Sequence, residues 1–139
     1  MGNANESIGG KLQKAGNIHI FVPEGYTCKT GTNLGEPDDN QIWLQTVPPT
    51  ITDYVWVIVQ ENEEALDLNI SMSKSINQAR DLEPFMIDDT SWGGITYDYG
   101  ELVCNVLKGK NGKAMFQVTV IGHTVDSDLA QKVLGSIVL

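Results

Sequence analysis

The chain is 139 residues long, 41% hydrophobic and 19% charged, with a formal net charge of −9. A chain of this size makes one domain that holds a core without metal or disulfide staples, and its apolar share argues against disorder. Nine basic residues against eighteen acidic ones exclude the cationic footprint that nucleic acid requires, and disfavour an anionic membrane surface.

The first sixteen residues read as a flexible lead-in, and 17–139 as a single domain. Met1-Gly2-Asn3-Ala4-Asn5-Glu6-Ser7 is polar and lacks the apolar core of a signal segment. It is either a native cytosolic start or what remains after an export or lipid-attachment segment is removed. No apolar run reaches the ~20 residues of a membrane span. Asn17 to Val22 reads as a strand, with Ile18, Ile20 and Val22 on one side and His19 and Phe21 on the other. Pro23 and Gly25 turn the chain, and Tyr26 to Lys29 continues as a short second strand. Residues 30–40 form a loop. Gln41 to Val47 is a strand ended by Pro48-Pro49. The nearly continuous apolar run from Tyr54 to Gln60 predicts a central strand covered on both faces.

The next stretch has two periods at once. Leu66, Leu68, Ile70 and Met72 alternate as in a strand, whereas Leu68, Met72, Ile76 and Ala79 follow helical spacing. A helix is expected over its second half, through Leu82 and closed by Glu83-Pro84. Trp92-Gly93-Gly94 reads as a loop and Ile95 to Tyr99 as a short strand. Leu102 to Leu107 and Ala114 to Ile121 are strands of a hairpin, and Asn111-Gly112 supplies the positive φ its turn needs. Asp126 or Ser127 then caps a terminal helix with an apolar stripe of Leu129, Val133, Leu134 and Ile137.

Few residues carry recognisable chemistry. Gly109-Lys110-Asn111-Gly112-Lys113 lacks the spacing of a phosphate loop and reads as a hairpin tip with solvated lysines. Cys28 and Cys104 are either a disulfide or two buried thiols; the alternation of Cys104 with Leu102 and Val106 favours burial. His19 is a sheet residue, while His123 follows Gly122 at a strand end, where a functional group can sit. The acidic clusters, Asp98 with Glu101 among them, lack calcium-loop spacing, and no catalytic signature is present. No cofactor, metal or catalytic residue is therefore expected. Trp43, Trp56 and Trp92 with Tyr97 and Tyr99 include enough aromatic surface to line a ligand groove. Core packing is the commoner use, above all for Trp56. Trp92, in its Gly-rich loop, is the one whose exposure matters most. The candidate ligand-binding residues are Trp92, Tyr97, Tyr99 and His123.

Ile20-Phe21-Val22-Pro23-Glu24-Gly25-Tyr26 resembles the opening of the PsbP-like family, which shares its fold with the Mog-type Ran-binding proteins. Gly94-Ile95-Thr96-Tyr97 looks like that family's mid-chain glycine and strand. Phe116-Gln117-Val118 and Asp128 to Ile137 look like its last strand and closing helix. The resemblance covers about two thirds of the chain and leaves Asp38 to Asp89 unmatched. It implies an α+β fold: a three-layer α/β/α sandwich with a central antiparallel sheet and a C-terminal helix. Family members act as accessory or binding proteins, in photosystem assembly or GTPase regulation, and bacterial relatives are often exported lipoproteins. The expected function is thus a non-enzymatic binding or accessory domain, extracytoplasmic rather than cytoplasmic, monomeric, with a protein or small molecule as partner. The alternatives are a small hydrolase using an acidic pair such as Asp98 and Glu101, and a structural module of a cell-surface assembly.

Overall fold

The computed structural model describes residues 8–139. Residues 1–7 of the expected lead-in lie outside the described residues, and part of the remainder is ordered sheet. Gly10–Ala15 (β1) turns back antiparallel on Ile18–Pro23 (β2), with Leu12 opposite Phe21. The other strands are Tyr26–Thr30 (β3), Gln41–Thr50 (β4), Asp53–Val59 (β5), Arg80–Ile87 (β6), Thr90–Tyr99 (β7), Leu102–Asn111 (β8) and Ala114–Ile121 (β9). They form one antiparallel sheet in the order β3-β4-β5-β9-β8-β7-β6. Helix Glu63–Asn77 (α1) joins β5 to β6, and Asp128–Ser136 (α2) follows β9.

This architecture overturns the expected three-layer α/β/α sandwich. The described residues are mostly β, 54% strand and 18% helix, and the two helices among them are too few to make two helical layers. Much of the difference arises in the middle. Asn62 accepts a hydrogen bond from the Ala65 backbone N–H at 3.0 Å, and this cap starts the helix at Glu63, much earlier than expected. Gln78, in the left-handed conformation, ends it. Residues 80–87 are therefore a strand rather than helix. β6 lies at the sheet edge, where Glu83 and Pro84 pass through a bulge between Leu82 and Phe85, and an edge tolerates the missing donor. Trp92-Gly93-Gly94, expected as a loop, lies within β7, and β4 runs on past Pro48-Pro49 after a register shift.

The register assigns every side chain to one of two faces. On the inner face Ile42, Leu44, Val55, Val57, Leu107, Phe116, Val118 and Val120 make a buried cluster. The cluster is closed by Ile18, Ile20 and Val22 of β2 and by Val133, Leu134 and Ile137 at α2. The α2 stripe is therefore as expected, with Ser127 as its cap. Beyond it, Val138 and His19 exchange backbone hydrogen bonds at 2.7 and 3.1 Å, and the Phe21 N–H donates to Ser136 Oγ at 2.7 Å. Trp92 also points inward, and its ring lies against Gly109. β5 is dry on this face only: Val55 and Val57 are buried, whereas Tyr54, Trp56 and Ile58 are half-buried on the other.

α1 crosses the outer face over β7 and β8. It buries Leu66, and Ile95 and Val106 on the strands it crosses are buried too, while Leu68, Met72 and Ile76 stay exposed. Ion pairs add to this contact. Lys108 lies 2.7 Å from both Glu63 and Asp67, and Lys110 lies 2.7 Å from Glu63. Lys74 reaches Asp81 of β6 at 2.9 Å. Of the two lysines expected to be solvated at the hairpin tip, Lys110 is turned back to Glu63 of the helix, while Lys113 is exposed; the turn itself is Gly112-Lys113, with Gly112 at φ +59°.

Two outcomes follow from these contacts. A Cβ at Gly109 would sit 2.5 Å from Trp92 Cζ3, so Gly109→Ala is expected to destabilise the domain by about 1–3 kcal/mol in urea unfolding, as overpacking does. Hydrogen bonds from Lys108 and Lys110 lower the Glu63 pKa from its ordinary 4.5 to about 2. A depressed folded-state pKa stabilises above the unfolded value and is lost as pH falls. Between pH 4.5 and 2 the protection factors of the α1 amides should fall while those of β9 hold. Simultaneous loss of both would refute this separable docking.

Candidate functional site

The aromatic residues segregate by face. Trp43 and Trp56 are directly opposed on β4 and β5, with ring centroids 4.3 Å apart and planes 12° from parallel. Tyr54 lies 5.7 Å from Trp43 at a 43° tilt. Trp43 Nε1 donates to the Gly31 carbonyl at 2.9 Å and Trp56 Nε1 to Gln41 Oε1 at 3.1 Å, so both indoles are fixed in place. Pairings in the next row place Tyr97, Cys104, Ile121 and Tyr54 side by side across β7, β8, β9 and β5. Burial raises the Tyr54 and Tyr97 phenol pKa values, with Cys104 beside both. Tyr99 continues on the same face, 77% exposed.

On β4, β5 and β9 this outer face is uncharged as well as aromatic; on the strands beside them it carries Lys29, paired with Trp43, and Lys108 and Lys110 of β8. The outward residues of β4, β5 and β9 are Gln, Trp, Tyr, Ile, Met and Thr, with no Lys, Arg, Asp or Glu among them. In a chain of net charge −9, such a surface is conspicuous. α1 covers the β7–β8 side of the face and leaves the β4–β5 side open.

The structure therefore divides the four sequence candidates. Tyr97 and Tyr99 lie on the outer face. Trp92 is 2% exposed in the inner core, and its Nε1 is buried without a partner; two glycines beside it suggested a loop, but they belong to a strand. His123 lies at the end of the sheet, where sequence reasoning had not seen its neighbours. Its Nε2 is 2.8 Å from Asp53 Oδ1 and 3.2 Å from the Tyr26 hydroxyl, and Tyr26 donates to the same Asp53 oxygen at 2.7 Å. A carboxylate accepts only, so Nε2 must carry its proton. Burial, then the hydrogen bond to Asp53 and its charge, push the Tyr26 phenol well above its ordinary range. Both protons thus point at one carboxylate, an arrangement suited to clasping the starts of β3 and β5 to the exit of β9.

Neither thiol is activated by its surroundings. Burial raises the pKa of Cys28 and of Cys104, and the thiolate is the reactive form. Both are free. They occupy opposite faces of strands four spacings apart, about 19 Å at roughly 4.8 Å per strand, far beyond the ~7 Å a disulfide tolerates. Among the described residues, no three His, Cys, Asp or Glu side chains gather to hold a metal, and no helix is long and apolar enough to cross a membrane. The sequence matches no protein-family model and no curated protein.

Tyr26→Phe removes the donor to Asp53 without changing ring volume. It should lower stability by about 1 kcal/mol, the usual loss for one hydrogen bond. A double-mutant cycle with Asp53→Asn measures the coupling, and strictly additive losses would show that the clasp contributes nothing.

Proposed function

We propose that this is a non-enzymatic accessory domain that docks a protein partner through the outer face carrying Trp43, Trp56, Tyr54, Tyr97 and Tyr99. The open aromatic face, free of charge on β4, β5 and β9, carries the reading. Cores of protein interfaces are enriched in Trp and Tyr and depleted of charge, and aromatic anchors held rigid before binding lose little freedom on association. The Trp43–Trp56 stack, with both indole N–H groups satisfied internally, meets that description. The exposed Val47 and Ile51, beyond Gln45 and before Tyr54, extend the apolar area at the sheet end.

The resemblance of Val22-Pro23-Glu24-Gly25-Tyr26 and the closing segment to PsbP-like proteins supports the same class, because known members are accessory or binding proteins. On that likeness we also place the chain outside the cytoplasm, as part of a bacterial lipoprotein. The hydrolase alternative gains no support from the geometry. Asp98 and Glu101 are both exposed, with Arg80 3.8 Å from Asp98, whereas acid–base work needs a carboxylate withdrawn from water.

The test is comparative capture from an extract of the source cells, followed by reconstitution with the purified captured protein. Trp56→Ala should weaken the reconstituted complex by at least about 2 kcal/mol, roughly 30-fold in Kd, as loss of an interface anchor does. Tyr99→Ala, at a side chain that bears little load in the fold, should weaken it without changing thermal stability. Binding unaffected by both substitutions would overturn the assignment of this face. So would capture of a glycan in place of a protein, a dimer of the chain itself lost on Trp56→Ala, or turnover of a substrate by the purified chain.

A further inference from the structure

The open part of the outer face differs at its two ends. Near the β4–β5 turn, Trp43 and Tyr54 wall a cleft of about 320 Å³, with Pro49 and Ile51 on its rim. No charged side chain lines it. It has room for a large apolar side chain, and the Trp43 ring is already held by its bond to Gly31.

The other end is bordered by carboxylates. Gln41, outward on β4 like Trp43, accepts the Trp56 indole N–H on Oε1 at 3.1 Å and donates from Nε2 to Asp38 Oδ2 at 3.0 Å. One side chain thus separates the stacked indoles from a carboxylate. Asp38 shares its loop with Glu36 and Asp39, both exposed. That loop lies against the end of β5, where the Val59 N–H donates to the Asn40 carbonyl at 2.8 Å. From there the chain rises to α1 on the outer face and carries the exposed Glu61 and Glu64. Among the described residues none of these five carboxylates is ion-paired, unlike Glu63 and Asp67. Lys29, opposite Trp43 on β3, and Lys113 of the β8–β9 turn stand against them, so negative charge is in excess.

We propose that the partner docked on this face presents a basic segment: an apolar side chain fills the Trp43–Tyr54 cleft, and Lys or Arg lies opposite Asp38 and its neighbours. The inference rests on the assignment of the aromatic face to a protein partner, and names that partner's chemistry. The two contacts are about 14 Å apart, four strand steps of roughly 3.4 Å from Gln45 to Gln41. Complementary charge at an interface selects the partner and steers its approach. A cation beside a half-buried indole gains from the ring as well. A second copy of the chain fits poorly on the same ground, since a net charge of −9 would meet its equal.

The probe is a phage-displayed library of random peptides of about twelve residues, long enough to span that distance. It is selected on the immobilised full chain and counter-selected on the Trp56→Ala chain. Retained peptides are expected to carry Lys or Arg about four positions from Trp, Phe or Leu, with Asp and Glu depleted. A consensus peptide, synthesised and titrated by fluorescence anisotropy, should bind more weakly as salt rises. Asp38→Asn with Glu61→Gln and Glu64→Gln should weaken it roughly tenfold, about twofold for each exposed pairing lost. Because Asp38 also holds Gln41, the Glu61→Gln, Glu64→Gln chain is the second charge variant, with a loss of roughly fourfold. Ile51→Asn, at an 85% exposed side chain on the cleft rim, should weaken the peptide without disturbing the fold, which locates it on this face even where Trp56→Ala perturbs the sheet. Retained peptides without basic residues, an affinity indifferent to salt, or full affinity in both charge variants would each overturn the basic partner. In those cases binding lost on Ile51→Asn leaves the aromatic face standing. Full affinity in both the Trp56→Ala and Ile51→Asn chains would overturn the face itself, and this inference with it.

Discussion

Everything in this fold depends on the closing of one sheet face by the two ends of the described chain. β2 and α2 lie far apart in sequence, yet they cover the inner cluster together and are joined by the His19–Val138 bridge and the Phe21–Ser136 hydrogen bond. Burial of such a cluster contributes on the order of 25 cal/mol per Å² of apolar surface removed from water. Once the inner face is closed, the alternation of side chains along each strand leaves the outer face to other uses.

The outer face is used unevenly. Over β7 and β8 it carries a helix that buries Leu66 and is pinned by Lys108, Lys110 and Lys74 on carboxylates, ion pairs sensitive to pH and salt. α1 thereby keeps Leu68, Met72 and Ile76 in solvent. Over β4 and β5 the face is bare, uncharged and aromatic. A surface that needed only solubility would carry charge there, as most of this acidic chain does. Trp and Tyr in those positions are the reason to look for a partner.

The inner face has its own exception. Val103, Asn105 and Leu107 share the inner face of β8, and Asn105 is as fully buried as Leu107. A buried amide with half its hydrogen-bonding capacity unused lies where the apolar layer ends. The two exceptional regions, the aromatic residues of β4 and β5 and the Asn105 amide of β8, thus lie on opposite faces of the sheet.

Several elements were legible in the sequence because their causes are local. The Ile18–Val22 strand, the β8–β9 hairpin with Gly112 in its turn and the Ser127-capped α2 follow from short-range period, turn chemistry and capping. The middle was not legible, because residues 63–82 satisfy a helical and a strand period at once, and the Asn62 cap together with the edge position of β6 decides between them. Tyr97 and Tyr99 can be placed on one face by parity alone. Their association with Tyr54 and the stacked Trp43–Trp56 pair requires the strand order β4-β5-β9-β8-β7, which no local pattern encodes. Trp92 beside two glycines looked like loop and became core, since its neighbour Gly109 belongs to another strand. His123 met Tyr26 and Asp53 only when three separate strand ends converged. The sequence by itself determined the strands, turns and caps, because these depend on neighbours a few residues away. Tertiary structure alone decided which residues share a surface, because sheet order brings together side chains from distant segments.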